Sequence, residues 1–245
     1  MILFALYHLW LYYRIKKDPL KTVIGVNHLA KRAWVRAILA DQDKKNILAV
    51  QTLRNSVMAS SLFATTAIVL SSAIATIVTT KDISAFAPVV LGSKNFNVLW
   101  AKFVLIFIAF VGAFMCHIQS IRYLNHVGFL INIPMDAETG DITPEYVVAG
   151  LVLGANWYTF GTRGFYLAFT LMLWLFGSIP MFVGIMLLVP FLYYQDTSVG
   201  KYEKTWKEKE SKKGGSLVEQ IQRRAWRKES RTGSVEKVEP IPDID

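Results

Sequence analysis

Side chains capable of chemistry are few in this chain, and most stand at the ends of apolar runs. His117 closes the run Val98–Ile118, with Cys116 beside it and Gln119 just beyond. Arg122, Asn125 and His126 come next at helical spacing, and Arg122 and His126 are four apart, on one helix face. A bound metal or a proton relay would need ligands that converge. Cys116 and His117 are adjacent, so a helix points them to different faces. No two histidines are three or four apart, and no carboxylate lies near in sequence. The set reads as a polar cluster at a membrane interface.

Arg54 and Asn55 precede a second apolar run, Val57–Val78, VMASSLFATTAIVLSSAIATIV. An arginine there can bind a lipid phosphate, pair with an acid such as Asp41, or simply snorkel to the interface. The run also carries hydroxyls at helical spacing. Ser56 and Ser60, Ser61 and Thr65, and Ser72, Thr76 and Thr80 are i,i+4 sets. Two readings stand for the positions Ser60, Thr65, Ser72 and Thr76. They form the lining of a pore, or they form a small-residue packing face with each hydroxyl bonded to its own i−4 carbonyl. No Gly-x-Ser-x-Gly, Walker lysine motif or HExxH occurs, and Gly154, Gly161 and Gly164 lack the strand–turn–helix setting of a phosphate loop. The expectation is no catalytic residue, no cofactor and no metal. Nor do the membrane cores hold an Asp or Glu, which weighs against coupled transport.

The elements that position these residues are helices in a bilayer. Val57–Val78 is 22 residues without a charge, about 33 Å of helix against a hydrocarbon core of about 30 Å. Four apolar segments stand out in all: 2–13, 57–78, 98–118 and 165–194. Aromatics flank them as interfacial belts, among them Trp10, Trp100, Tyr166 and Tyr193. Lys102, near the start of the third, has the reach to snorkel to headgroups. The first segment is short and is succeeded by Arg14, Lys16 and Lys17. It suits the cytosolic end of a helix or a short interfacial anchor.

Of the net +9, most sits between Arg14 and Arg54, where ten Lys/Arg face three Asp. A basic block between apolar segments reads as a cytosolic loop facing anionic lipid, not a nucleic-acid site. Within it Val26, Leu29, Ala30, Ala33, Trp34, Ala37 and Ile38 recur at helical spacing, opposite Lys31, Arg32 and Arg36. Two readings again stand: a helix lying in the interface, or one packed on its neighbours. Lys31, Arg32, Trp34, Arg36 and Arg54 are thus the candidate lipid or interface contacts. Beyond them, Asp41 and Asp43 can cap a helix that runs through KKNILAVQTLRN into the second span.

Thr143-Pro144-Glu145 marks another helix start. The VVAGLVLGANWY after it reads as a re-entrant or interfacial helix, not a span. For 165–194, one long helix is narrowly preferred over a hairpin at Gly177-Ser178-Ile179-Pro180, with Pro190 as a second break. The remainder, 197–245, reads as a charged, flexible tail. Within it SLVEQIQRRAWRKES, with Ser230, Thr232 and Ser234 after a basic stretch, offers a membrane-surface or calmodulin-type helix or a solvated segment. Lone Cys116 forms no internal disulfide.

Three stretches resemble one family. They are KKNILAVQTLRNSVMASSLFATTAIVL, Thr143-Pro144-Glu145-Tyr146-Val147, and LWLFGSIPMFVGIMLLVPFLYY. Together they look like domain-of-unknown-function family 599, plant and bacterial membrane proteins, over roughly residues 5 to 196. The resemblance implies a helical membrane domain of about four spans and no activity. The chain departs from it in having fewer apolar residues ahead of YHLWLYY and in the tail beyond Asp196.

The expected protein is all-α: a polytopic helical membrane protein of about four spans, domain 1–196, with interfacial helices. Its expected role is a non-catalytic scaffold or accessory subunit. The alternatives are a homo-oligomeric pore and, more remotely, an intramembrane lipid enzyme using Arg54 and His117. Expected partners are membrane lipids, through anionic headgroups on the cytosolic side, and a second copy or an unlike membrane protein, with no nucleic acid. The pattern fits plasma membrane and endomembrane alike.

Overall fold

The computed structural model describes residues 2–80, 95–133 and 143–197, with Gln42 and Asp43 as main chain only. The tail readings, including SLVEQIQRRAWRKES, and the loops 81–94 and 134–142 lie outside these residues. Among the described residues six α-helices form: α1 (Ile2–Lys17), α2 (Val23–Leu39), α3 (Gln42–Thr80), α4 (Phe96–Leu130), α5 (Pro144–Phe176) and α6 (Ser178–Thr197). A 3-10 turn, Pro19–Lys21, joins the first two. Among the described residues three helices are long and apolar enough to cross a membrane, within α3, α4 and α6.

The long helices are set by their apolar runs and by few breakers. α3 is 39 residues, about 58 Å. It begins in the basic block and continues through the uncharged run, as the sequence anticipates. α5 starts where the sequence places it. The Thr143 hydroxyl accepts from the Tyr146 N–H at 3.3 Å and Pro144 occupies the first position.

Past that start, the chain departs from expectation twice. The short apolar stretch after Thr143 is no separate re-entrant piece. It is the first half of α5, which runs without interruption for 33 residues to Phe176. The narrow preference for one helix over 165–194 is overturned too. Gly177 ends α5 with φ 150°, a conformation that favours glycine, and α6 folds back. At Gly184 of α6 an added Cβ would lie 2.5 Å from the Leu173 side chain of α5. Pro180 falls in the first turn of α6, where no N–H is required. Pro190 does not end α6, although it forgoes the bond to the carbonyl one turn back.

α4 lies between α3 and α5 and packs along both, whereas α3 barely touches α5. The α4–α5 seam is built from glycines. Added Cβ atoms at Gly150, Gly154 and Gly164 would lie 2.9, 3.2 and 3.1 Å from Val127, Leu124 and Ala113. Bare backbone lets the two helices approach closely, which is the chief source of packing energy where lipid replaces water. Two cores result. One, within the apolar runs, centres on Phe103, Ile106, Phe110, Phe165 and Ala168. The other, toward the polar ends, joins α2 to α3, α4 and α5 through Val35, Ile38, Leu53, Val127 and Val147.

α2 is rotated relative to the stripe read from sequence. The side facing the bundle carries His28, Lys31, Val35 and Ile38, while Leu29, Ala30, Ala33 and Ala37 face outward. Lys102 likewise turns inward. It is 5% exposed, donates to the Trp174 carbonyl at 3.0 Å, and lies 5.1 Å from that indole's centroid. The break at Gly177 frees the last carbonyls of α5, and a buried ammonium satisfies one of them better than distant headgroups would.

Candidate functional site

Polar groups gather at two places along α5. The first is built on Arg163. Its guanidinium donates twice to Asp196 of α6, at 2.7 and 2.8 Å. Both bonds come from one nitrogen, Nη2, which bridges the two carboxylate oxygens in a charge-assisted pair. The Tyr7 hydroxyl of α1 donates to the same carboxylate. Arg163 also faces His8 Nε2 at 3.2 Å, while His8 Nδ1 lies 2.8 Å from the Phe4 carbonyl. A carbonyl accepts only, so Nδ1 carries the proton and Nε2 accepts from the guanidinium. The Arg163 and Asp196 side chains are 11% and 8% exposed. Every member of this set has a partner, and the set ties α1, α5 and α6 together. Chemically it is a latch.

The second place lies toward the start of α5 and runs inward from α2. His28 Nε2 stands 2.8 Å from Asn156 Oδ1, and one turn on Lys31 lines a cavity of about 470 Å³. Thr52, Asn55 and Ser56 of α3 and Tyr158 of α5 complete its polar wall. Burial pushes the Lys31 ammonium below the ordinary lysine range.

Behind Tyr158 lies His117, fully buried. Its ring stacks on Phe63 with centroids 5.1 Å apart and meets the edge of Tyr158 at 5.4 Å. Neither ring nitrogen has a hydrogen-bond partner among the described residues. Gly161 makes room for it, since a Cβ there would lie 2.6 Å from Nε2. Nearby, the Ser60 and Ser120 hydroxyls meet at 3.3 Å and Ser120 donates to the Gly154 carbonyl at 2.8 Å.

The polar cluster expected around His117 therefore does not form. His117 is interior, whereas His126 is exposed, 3.4 Å from the Tyr146 hydroxyl, and the Arg122 guanidinium lies 6.0 Å from the centroid of the Tyr123 ring. The hydroxyl positions divide as well. Ser60 is fully buried, while Thr65, Ser72 and Thr76 are exposed on the outer side of α3. At 100° per residue Ser60 is about 140° from Thr65 around the helix, so the four do not share a face. Ser72 and Thr76 each donate to the carbonyl four residues back, at 2.8 and 3.0 Å.

Of the interface candidates, Arg36 pairs with Glu145 at 3.1 Å and Trp34 packs against the second core. Arg32 is exposed, and exposed Arg54 lines a shallow groove with Asn46, Gln51 and Asn132. Asp41 lies 3.8 Å from Lys45. Sequence reasoning passed over Tyr7, His8, Arg163 and Asp196. Arg163, the one charge within the apolar stretch of α5, was the available signal. Among the described residues no group of three metal-ligating side chains assembles.

Fold and composition define the class: an all-helical bundle with three helices able to cross a membrane. A family model described as "Protein of unknown function, DUF599" matches residues 1–200. The chain belongs to that family, and the matched region contains all six helices. No curated protein and no solved structure matches the chain.

Proposed function

We propose that the chain is a multi-pass integral membrane protein that acts without catalysis, as a scaffold or accessory subunit. It works through helix–helix and lipid contacts, with its basic block on the cytosolic side. The observation that carries this reading is the outer side of α3. This helix sits at the edge of the bundle, and the side turned away from α4 exposes Thr65, Ser72 and Thr76. The Ser72 and Thr76 hydroxyls are already bonded internally, so over 72–80 this side is short-chained and those two polar atoms demand no new partner, while Met58, Leu62 and Val69 fill its first half. Such a face accepts another helix at close range. Orientation by the basic block, with α5 and α6 as a hairpin, returns residue 197 to the cytosolic side.

Native mass spectrometry of the protein extracted from its own membranes with lipid retained tests this. An unlike partner in fixed ratio, lost in Ser72→Leu and Thr76→Leu variants, is the expected result. The same exposed hydroxyls favour a second reading, a homo-oligomeric pore. It predicts a symmetric oligomer and solute flux in liposomes that Thr65→Leu or Ser72→Leu reduces. A protein that runs only as a lipid-bearing monomer overturns both. The remoter lipid-enzyme reading loses support from the separation of exposed Arg54 and buried His117.

A further inference from the structure

The cavity beside Lys31 is a recess open on its α3 wall, where Thr52, Asn55 and Ser56 are exposed, and it differs from the buried latch. Thr52 and Ser56 donate to carbonyls of their own helix, Leu48 at 2.8 Å and Thr52 at 3.1 Å, leaving only lone pairs toward the cavity. The Lys31 ammonium, the Asn55 amide and the Tyr158 hydroxyl have no hydrogen-bond or ion-pair partner among the described residues. Nor, among the described residues, is a carboxylate free to serve Lys31. Asp18 holds Lys21, Asp41 faces Lys45, Glu145 holds Arg36 and Asp196 holds Arg163. Three donors, one of them cationic and partly desolvated, thus line one recess, with only the hydroxyl lone pairs of Thr52 and Ser56 beside them and no negative charge among the described residues. That is the electrostatic complement of an anion.

Depth and shape narrow the anion. Asn55 and Ser56 immediately precede the uncharged run of α3, the level at which headgroups meet the hydrocarbon. The cavity floor is apolar, from Ala59, Leu124 and Leu151. A ligand with an anionic head and an aliphatic body matches both parts. The His28–Asn156 bond pins α2 against α5 one turn before Lys31, so the helix that carries Lys31 is held beside the cavity by a built contact. We infer that this cavity binds a phosphate group, in the first place that of an anionic lipid headgroup. The inference rests on the membrane reading above.

The test uses the full chain in detergent micelles, titrated with dioleoyl phosphatidic acid or dioleoyl phosphatidylcholine and read by native mass spectrometry. Phosphatidic acid binds more tightly. Lys31→Met weakens it by about tenfold and Tyr158→Phe by about threefold, as expected for loss of a charge-assisted and a neutral hydrogen bond. Arg32→Met, which removes an exposed charge one residue away, changes it by less than about twofold. Tyr158→Phe deletes a single oxygen, so it keeps the test alive if Lys31→Met fails to fold. Excess inorganic phosphate then separates the sources: displacement means the phosphate group alone is recognised, and persistence means the lipid is. Equal binding of the two lipids overturns the inference, as does an equal loss in Arg32→Met, which would indicate diffuse surface charge. Resistance of the wild-type chain to carbonate extraction from membranes is measured alongside. If it fails, the membrane reading itself falls; if it holds without lipid preference, only this inference does.

Discussion

The two polar clusters along α5 are finished differently. Around Arg163 two charges, a hydroxyl and an imidazole leave the surface together, and each finds a partner within the chain. Around Lys31 donors collect at a cavity and find none among the described residues. Buried polar groups that satisfy one another serve the fold, because removing one strands the others. Polar groups held together without partners store binding capacity instead. The difference can be challenged by mutation.

The largest effect belongs to the latch. Asp196→Ala strands the Arg163 guanidinium and should cost about 3–5 kcal/mol, read as a large fall in Tm in micelles. Replacing Arg163 and Asp196 together by apolar residues should cost far less. Equal losses in the single and double variants would mean the pair is not a latch. Next comes the wall behind Tyr158. Gly161→Ala drives a methyl into the His117 ring, with an expected loss of about 1–3 kcal/mol.

Lys31→Met should leave stability within about 0.5 kcal/mol of wild type, while binding of anionic lipid falls. A marked destabilisation would place Lys31 with the latch residues and erase the contrast. The smallest effect is expected at the exposed Arg36–Glu145 pair. The bond from Arg36 holds the Glu145 carboxyl below the ordinary glutamate range. Its contribution is therefore present above the unfolded glutamate pKa and fades as pH falls through the lowered folded value. Unfolding of wild type and Arg36→Ala across acidic pH should differ slightly at neutrality and converge at low pH, and added salt should shrink the difference.

Much of the scaffold was legible. Uncharged runs long enough for a bilayer and a Thr-Pro-Glu start are local signals, and α3 and the start of α5 arise from them, whereas the Gly177 break was visible only as the less favoured hairpin alternative. The continuity of α5 was less visible, because Gly154, Gly161, Arg163 and Gly164 dilute its hydropathy. Those same residues are the packing seam and the latch, meaningful only once α4 and α6 are in place. His8 and Arg163 are 155 positions apart, and nothing in local pattern joins them.

By itself, then, the sequence determined helicity, the apolar lengths and the basic flank, since these depend on backbone hydrogen bonding and transfer energy summed over neighbouring residues. Tertiary structure decided which polar groups are spent and which are spare. It turned His28 and Lys31 inward on α2, divided Ser60 from Thr65, Ser72 and Thr76 on α3, and buried His117 on α4. Such outcomes depend on which helix lies against which, a choice made by close packing across the glycine seam and by a few pairings distant in sequence.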